Sequence, residues 1–236
     1  MLTGTDTWEV ELDSTRVVYA PRATDRLGEL ARDLDLRHVL VVTDAGIRAA
    51  GHSEHVRQVL ENASIEVCIY DEVATNPGEV HVAAGAEIAR ASHVDGIVAL
   101  GGGSTLDCAK GVNFVLTNGG RMEDYWGFGK ATRPMLPSIA IPTTAGTGSE
   151  AQCYALISQD GTHAKMACGD PKARFRTVVL DPVLMATLPP GTAAVAGIDA
   201  VSHAVESFVT RSRNPVSTLF SKEAWHLLDD SFEPVV

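Results

Sequence analysis

The chain has 236 residues, enough for one large domain or for one domain and part of another. Hydrophobic residues make up 45% and charged residues 21%, the balance of a globular protein with a sizeable core. A net charge of −11 argues against a nucleic-acid partner or an anionic membrane surface, because either would repel it.

The N-terminal stretch Met1 to Asp6 has neither the basic nor the apolar region of a signal peptide, and no apolar run is long enough to span a bilayer. Arg16 to Tyr19 is the first strand candidate, followed by helical periodicity through Leu27, Leu30 and Leu34. The unbroken apolar run Val39 to Val42 reads as a buried parallel strand ending in Thr43-Asp44-Ala45-Gly46. A helix follows with Val56, Val59 and Leu60 on one face. Ile65 to Tyr70 is the next strand, and Asn76-Pro77 turns the loop into a helix from Glu79 to about Ala91. Strands alternating with helices over this length predict an α/β fold with a doubly wound, mostly parallel, Rossmann-like sheet.

Gly96 to Leu100 is a short buried strand that passes through Gly101-Gly102-Gly103 into a helix opened by Ser104, with Leu106, Ala109, Val112 and Val115 on its apolar face. A strand, glycines and a helix N-terminus together make a phosphate site. Glycine lets the backbone approach, and first-turn N–H groups and the helix dipole favour negative charge. Ser104 is a good N-cap, and its hydroxyl could equally face a phosphate. A tight turn with no ligand is the plainer alternative. Asp44 ends a neighbouring strand, where a carboxylate could take the ribose hydroxyls of NAD and repel the extra phosphate of NADP. Capping its own helix before Gly46 is an equal reading.

Leu136 to Ile141 is another strand candidate and leads into Pro142-Thr143-Thr144-Ala145-Gly146-Thr147-Gly148-Ser149-Glu150, a loop of hydroxyls and glycines able to approach a ring or phosphate closely. A plain surface loop shares that composition. Ala151 to Ser158 and His163 to Ala167 read as a hairpin turning at Asp160-Gly161, and Arg176 to Leu180 as the last strand. After Leu188-Pro189-Pro190 the strand pattern stops and helices take over. The predicted domains are therefore 1–187, α/β, and 188–236, the beginning of an all-helical domain. In that second part Asp199 and His203 stand at i and i+4 on one helix face, where a carboxylate and an imidazole can reach one divalent cation or simply hydrogen-bond to each other. The cysteines Cys68, Cys108, Cys153 and Cys168 have no CxxC spacing and read as reduced core residues, which suits a cytoplasmic protein.

Three motifs in this order resemble iron-containing alcohol dehydrogenases: Gly101-Gly102-Gly103-Ser104 with Asp107 and Ala109-Lys110, then Pro142 to Glu150, then Gly197-Ile198-Asp199-Ala200-Val201-Ser202-His203-Ala204-Val205-Glu206. The resemblance implies an NAD(P)-binding α/β domain, a helical domain, and an active site in the cleft between them. It implies that Asp44 and Asn76 contact the adenosine end and that Gly102, Gly103 and Ser104, with Asp107 in the same motif, belong to the cofactor site. Thr143, Thr144 and Thr147 would line the nicotinamide side with Lys165 nearby. Asp199 and His203 match the first two ligands of an Fe2+ or Zn2+ ion and are the catalytic candidates. The implied function is metal-dependent, NAD-linked interconversion of a small alcohol with its aldehyde or ketone. Family members are longer and supply two further histidines, so a shortened helical domain and a chain weak in metal and turnover are expected. A homo-oligomer is compatible with the reading. The alternatives are a sister enzyme resembling glycerol dehydrogenase or dehydroquinate synthase, and an inactive NAD-binding fragment.

Overall fold

The computed structural model describes residues 7–162 and 164–235, and the side chains of all of these except 233–235. The elements in chain order are β1 (Trp8–Leu12), β2 (Thr15–Tyr19), α1 (Leu27–Arg32), β3 (His38–Val42), α2 (Ala45–Ala49), α3 (His52–Asn62), β4 (Glu66–Tyr70), α4 (Glu79–Ala91), β5 (Gly96–Gly101) and α5 (Gly103–Asn118). They continue as β6 (Gly127–Phe128), β7 (Ser138–Pro142), β8 (Tyr154–Ser158), β9 (Lys165–Gly169), β10 (Thr177–Leu180), α6 (Pro182–Met185), α7 (Pro190–Val209) and α8 (Pro215–Val235).

The chain forms two compact units. One runs through Thr143 and resumes from Ser149 to Leu184; the other is Thr144–Gly148 together with the chain from Met185 onward. The first holds a seven-stranded sheet in the order β1-β2-β10-β7-β5-β3-β4. Every pairing in it is parallel except β1 with β2. The doubly wound, mostly parallel sheet is as expected. Side chains alternate along each strand, so the two faces bury separate cores. Leu40, Val42, Ile97, Ala99 and Ala140 pack on one face with α4 and α5 residues such as Val82, Leu106 and Val112. Val39, Val41, Val98, Leu100, Ile139 and Ile141 pack on the other with Leu27, Leu30, Val56 and Leu60 of α1 and α3.

Two strands had no sequence expectation. Tryptophan, valine and leucine alternate with acids in β1, whose burial is slight because it is the edge strand. The two-residue β6 is too short to carry a pattern, and it joins a small sheet in the order β6-β9-β8. The antiparallel hairpin of β8 and β9 is present, pairing Tyr154 with Gly169 through Ser158 with Lys165. His163, expected at its second strand, lies outside the described residues.

In the second unit α7 and α8 form a helical pair, with Gly197 lying against the ring of Phe232. Among the described residues no helix is long and apolar enough to cross a membrane.

Candidate cofactor and metal site

In the parallel sheet, β5 has β7 on one side and β3 on the other, and β4 extends the β3 side. Taken alone, β4-β3-β5-β7-β10 is the doubly wound order 2-1-3-4-5, whose switch point lies between β3 and β5. Ligands of such sheets bind outside the carboxyl ends of the strands at that point. The carboxyl ends there carry Thr43-Asp44 and Gly101-Gly102-Gly103.

These groups hold one another in place. Thr43 is buried and its Oγ1 donates to the Leu100 carbonyl at 2.9 Å. Asp44 caps α2, its Oδ1 accepting from the Gly46 and Ile47 N–H groups at 2.9 and 3.1 Å. The capping reading is thus what the local geometry displays, while Oδ2 accepts from Thr105 Oγ1 at 3.1 Å. Gly101 has φ +157°, and a Cβ there would lie 2.5 Å from Thr105 Oγ1, so a side chain would drive Thr105 off Asp44.

Ser104 does not cap α5. The helix begins one residue earlier, at Gly103, and its N-cap is Gly102 in an extended conformation with no side-chain cap bond. Gly102 already accepts from the N–H groups of Thr105 and Leu106, which places Ser104 inside the first turn. Its hydroxyl instead accepts from the Asn76 N–H at 3.2 Å. Asn76 itself has φ +53°, and Ser158 Oγ donates to its carbonyl at 3.3 Å. Asp44, Asn76, Gly102, Gly103 and Ser104 are therefore assembled around one helix N-terminus whose first-turn donors receive no side chain from the cap. That donor set fits an anionic pyrophosphate.

The other expected residues are placed differently. Thr143, at the end of β7, is buried and its N–H donates to the Gly101 carbonyl at 3.0 Å. Lys165 is exposed at the start of β9, opposite Ser158. Asp107 points inward, away from solvent, to the Lys110 ammonium 3.4 Å away. Lys110 is 2% exposed, and its Nζ also donates to the carbonyls of Ser149 at 2.6 Å and Tyr154 at 2.8 Å. Burial pushes the Asp107 carboxyl up and the Lys110 ammonium down from their ordinary values. Burial likewise raises Glu150, whose Oε2 has no partner among the described residues. Sequence reasoning assigned no role to Lys110 or Glu150. For Lys110 the available signal was its i,i+3 spacing from Asp107, the two being the only charged residues in α5. All four cysteines are free, and burial lifts Cys108 to about 12, which removes it as a thiolate nucleophile.

The second unit holds Thr144, Thr147, Asp199 and His203. Thr144 Oγ1 is buried without a partner among the described residues, an orphan that suits a ligand hydrogen bond. Thr147 is half-buried. On α7 the Asp199 Oδ1 and His203 Nε2 atoms stand 3.8 Å apart with both side chains about half exposed. That is too long for a hydrogen bond, and two ligands about 2.1 Å from a tetrahedral ion stand roughly 3.4 Å apart, so the two side chains need only a small movement toward each other to share a cation. Among the described residues no group of three or more His, Cys, Asp or Glu side chains gathers around a metal position. His226, on α8, is exposed.

The family model described as iron-containing alcohol dehydrogenase matches residues 14–182. The chain belongs to that family. Its relatives include alcohol dehydrogenase 4 of Schizosaccharomyces pombe, 42% identical over 194 residues, covering 81% of this chain and 46% of that protein. The NAD-dependent methanol dehydrogenase of Bacillus methanolicus is 34% identical over 208 residues, covering 88% and 55%. Among solved structures, alcohol dehydrogenase from Oenococcus oeni superposes with a TM-score of 0.88 at 28% identity, covering 96% of this chain and 58% of that one. The chain spans about half the length of the curated relatives it matches. The family match over residues 14–182 and relatives named as alcohol and methanol dehydrogenases support the alcohol dehydrogenase reading over the sister-enzyme alternative.

Proposed function

We propose that this chain carries the cofactor-binding part and the first two metal ligands of an NAD-linked, metal-dependent oxidoreductase acting on a small alcohol and its aldehyde or ketone. The observation that carries the proposal is the glycine-capped N-terminus of α5 at the β3/β5 switch point, with Asp44 and Asn76 beside it. The NAD dependence of the Bacillus methanolicus relative supports NAD as the dinucleotide. Its pyrophosphate would sit on the first turn at Gly102, Gly103 and Ser104. Asp44 would favour NAD over NADP by repelling a 2′-phosphate. Thr143, Thr144 and Thr147 would orient the nicotinamide end, with Lys165 nearby. Asp199 and His203 would hold Fe2+ or Zn2+.

When bound, the dinucleotide would supply hydride chemistry and the divalent ion Lewis-acid polarisation of the substrate oxygen. The protein's own residues would bind those groups and align them for reaction. The test is calorimetric titration of the folded 236-residue chain with NADH, and with NADH after Gly102→Val. Binding by the parent that the valine weakens at least tenfold is expected, since a side chain blocks backbone approach. Absence of NADH binding by a folded sample, or indifference to the valine, rejects this cofactor site.

A further inference from the structure

His203 Nδ1 lies 2.8 Å from the carbonyl oxygen of Gly146. A carbonyl only accepts, so Nδ1 must carry the proton in this contact. In a neutral imidazole, that leaves Nε2 with a lone pair and no proton. Asp199 does not compete for Nε2, being 3.8 Å away. The ring is thus oriented through one nitrogen, with the other left open toward the carboxylate.

The position of that carbonyl depends on Gly146 being glycine. Its φ is +150°, and a Cβ there would fall 1.9 Å from the Ala196 carbonyl oxygen and 3.2 Å from the Ala200 nitrogen. The loop backbone therefore rests directly on the backbone of α7. Ala196, Asp199, Ala200 and His203 stand at helical spacings of three and four, so the loop lies along the stripe that carries the two ligand candidates.

We infer that Gly146 is a positioning residue for the metal: its carbonyl locks His203 in the Nδ1–H tautomer and so presents Nε2 as the ligand atom. This rests on the reading of His203 as a metal ligand given above. Metal-bound histidines commonly donate their second ring N–H to a carbonyl or carboxylate, and losing that partner typically costs 10–100-fold in affinity. The hydroxyl- and glycine-rich loop after β7 then has a second role besides lining the cofactor, because its backbone sets the metal ligand.

The experiment is long-range 1H–15N correlation NMR of the metal-free 236-residue chain, with the His203 resonances assigned by their loss in His203→Asn, followed by titration with Zn2+ alone. The expected spectrum has His203 protonated at Nδ1, with Zn2+ shifting Nε2. Gly146→Ala should release the tautomer and weaken Zn2+ binding 10–100-fold. Should Gly146→Ala fail to fold, His203→Asn decides, since its amide replaces Nδ1 and leaves nothing at Nε2. It should lose Zn2+ binding as fully as His203→Ala, and retention would make Nδ1 the ligand and overturn the inference. An Nε2–H tautomer in a parent whose Zn2+ binding needs His203 overturns the inference alone. Zn2+ binding indifferent to His203→Ala overturns the metal reading and the inference with it.

Discussion

Replacing Lys110 with methionine tests whether the buried Asp107–Lys110 pair supports the cofactor domain. The ammonium has three donors, and the structure supplies three acceptors: the Ser149 and Tyr154 carbonyls at 2.6 and 2.8 Å and the Asp107 carboxylate at 3.4 Å. Methionine fills a similar volume but leaves all three without this donor. Asp107 keeps hydrogen bonds from the Leu156 backbone and the Ser149 side chain, so it is not stripped entirely. Removing one partner of a buried ion pair costs about 3–5 kcal/mol, and the retained hydrogen bonds place Lys110→Met near the lower end, about 3 kcal/mol. Adding Asp107→Asn removes the unpaired charge and should recover a substantial part of that loss. The assay is urea denaturation of the parent, both single variants and the double variant, closed as a thermodynamic cycle. A Lys110→Met cost below about 1 kcal/mol, or a double variant no more stable than Lys110→Met, would refute the reasoning.

Glu150→Gln should raise the midpoint of thermal unfolding at pH 7. Burial raises the folded-state value of Glu150, so its charge opposes folding above its ordinary value near 4.5. That cost is fully present above the raised folded value and fades as pH falls toward the ordinary one, so the gain from glutamine should shrink over the same window. A gain that grows on acidification would contradict this. Asp44→Ala removes the α2 cap and should cost about 0.5–2 kcal/mol by urea denaturation. In fluorescence titration it should also narrow the NADH-over-NADPH preference, and equal affinities already in the parent would defeat the ribose assignment.

The periodicity of the chain was sufficient for the parallel strands of the seven-stranded sheet and for α4, whose predicted span of Glu79 to about Ala91 agrees with the helix. Runs such as Val39 to Val42 are apolar on both faces because helices cover both sides of the sheet, and that burial is written directly into residue type. The motifs also identified the family, since a glycine loop, a threonine-rich loop and a helical Asp/His pair each have a local signature. What sequence could not determine depends on neighbours distant in the chain. The edge strand β1 is defined by its pairing to β2 rather than by burial. Ser104 was a sound N-cap by composition, but the extended conformation of Gly102 starts α5 one residue before it, and the Asn76 N–H, 28 residues away, takes the hydroxyl. Lys110 had no role assigned from the sequence, because the carbonyls of Ser149 and Tyr154 that hold its ammonium come from 39 and 44 residues away. The tautomer of His203 is likewise decided by a carbonyl 57 residues earlier. Hydrophobic pattern is a property of each segment alone, whereas a polar group's partner exists only once the chain has brought separate segments together.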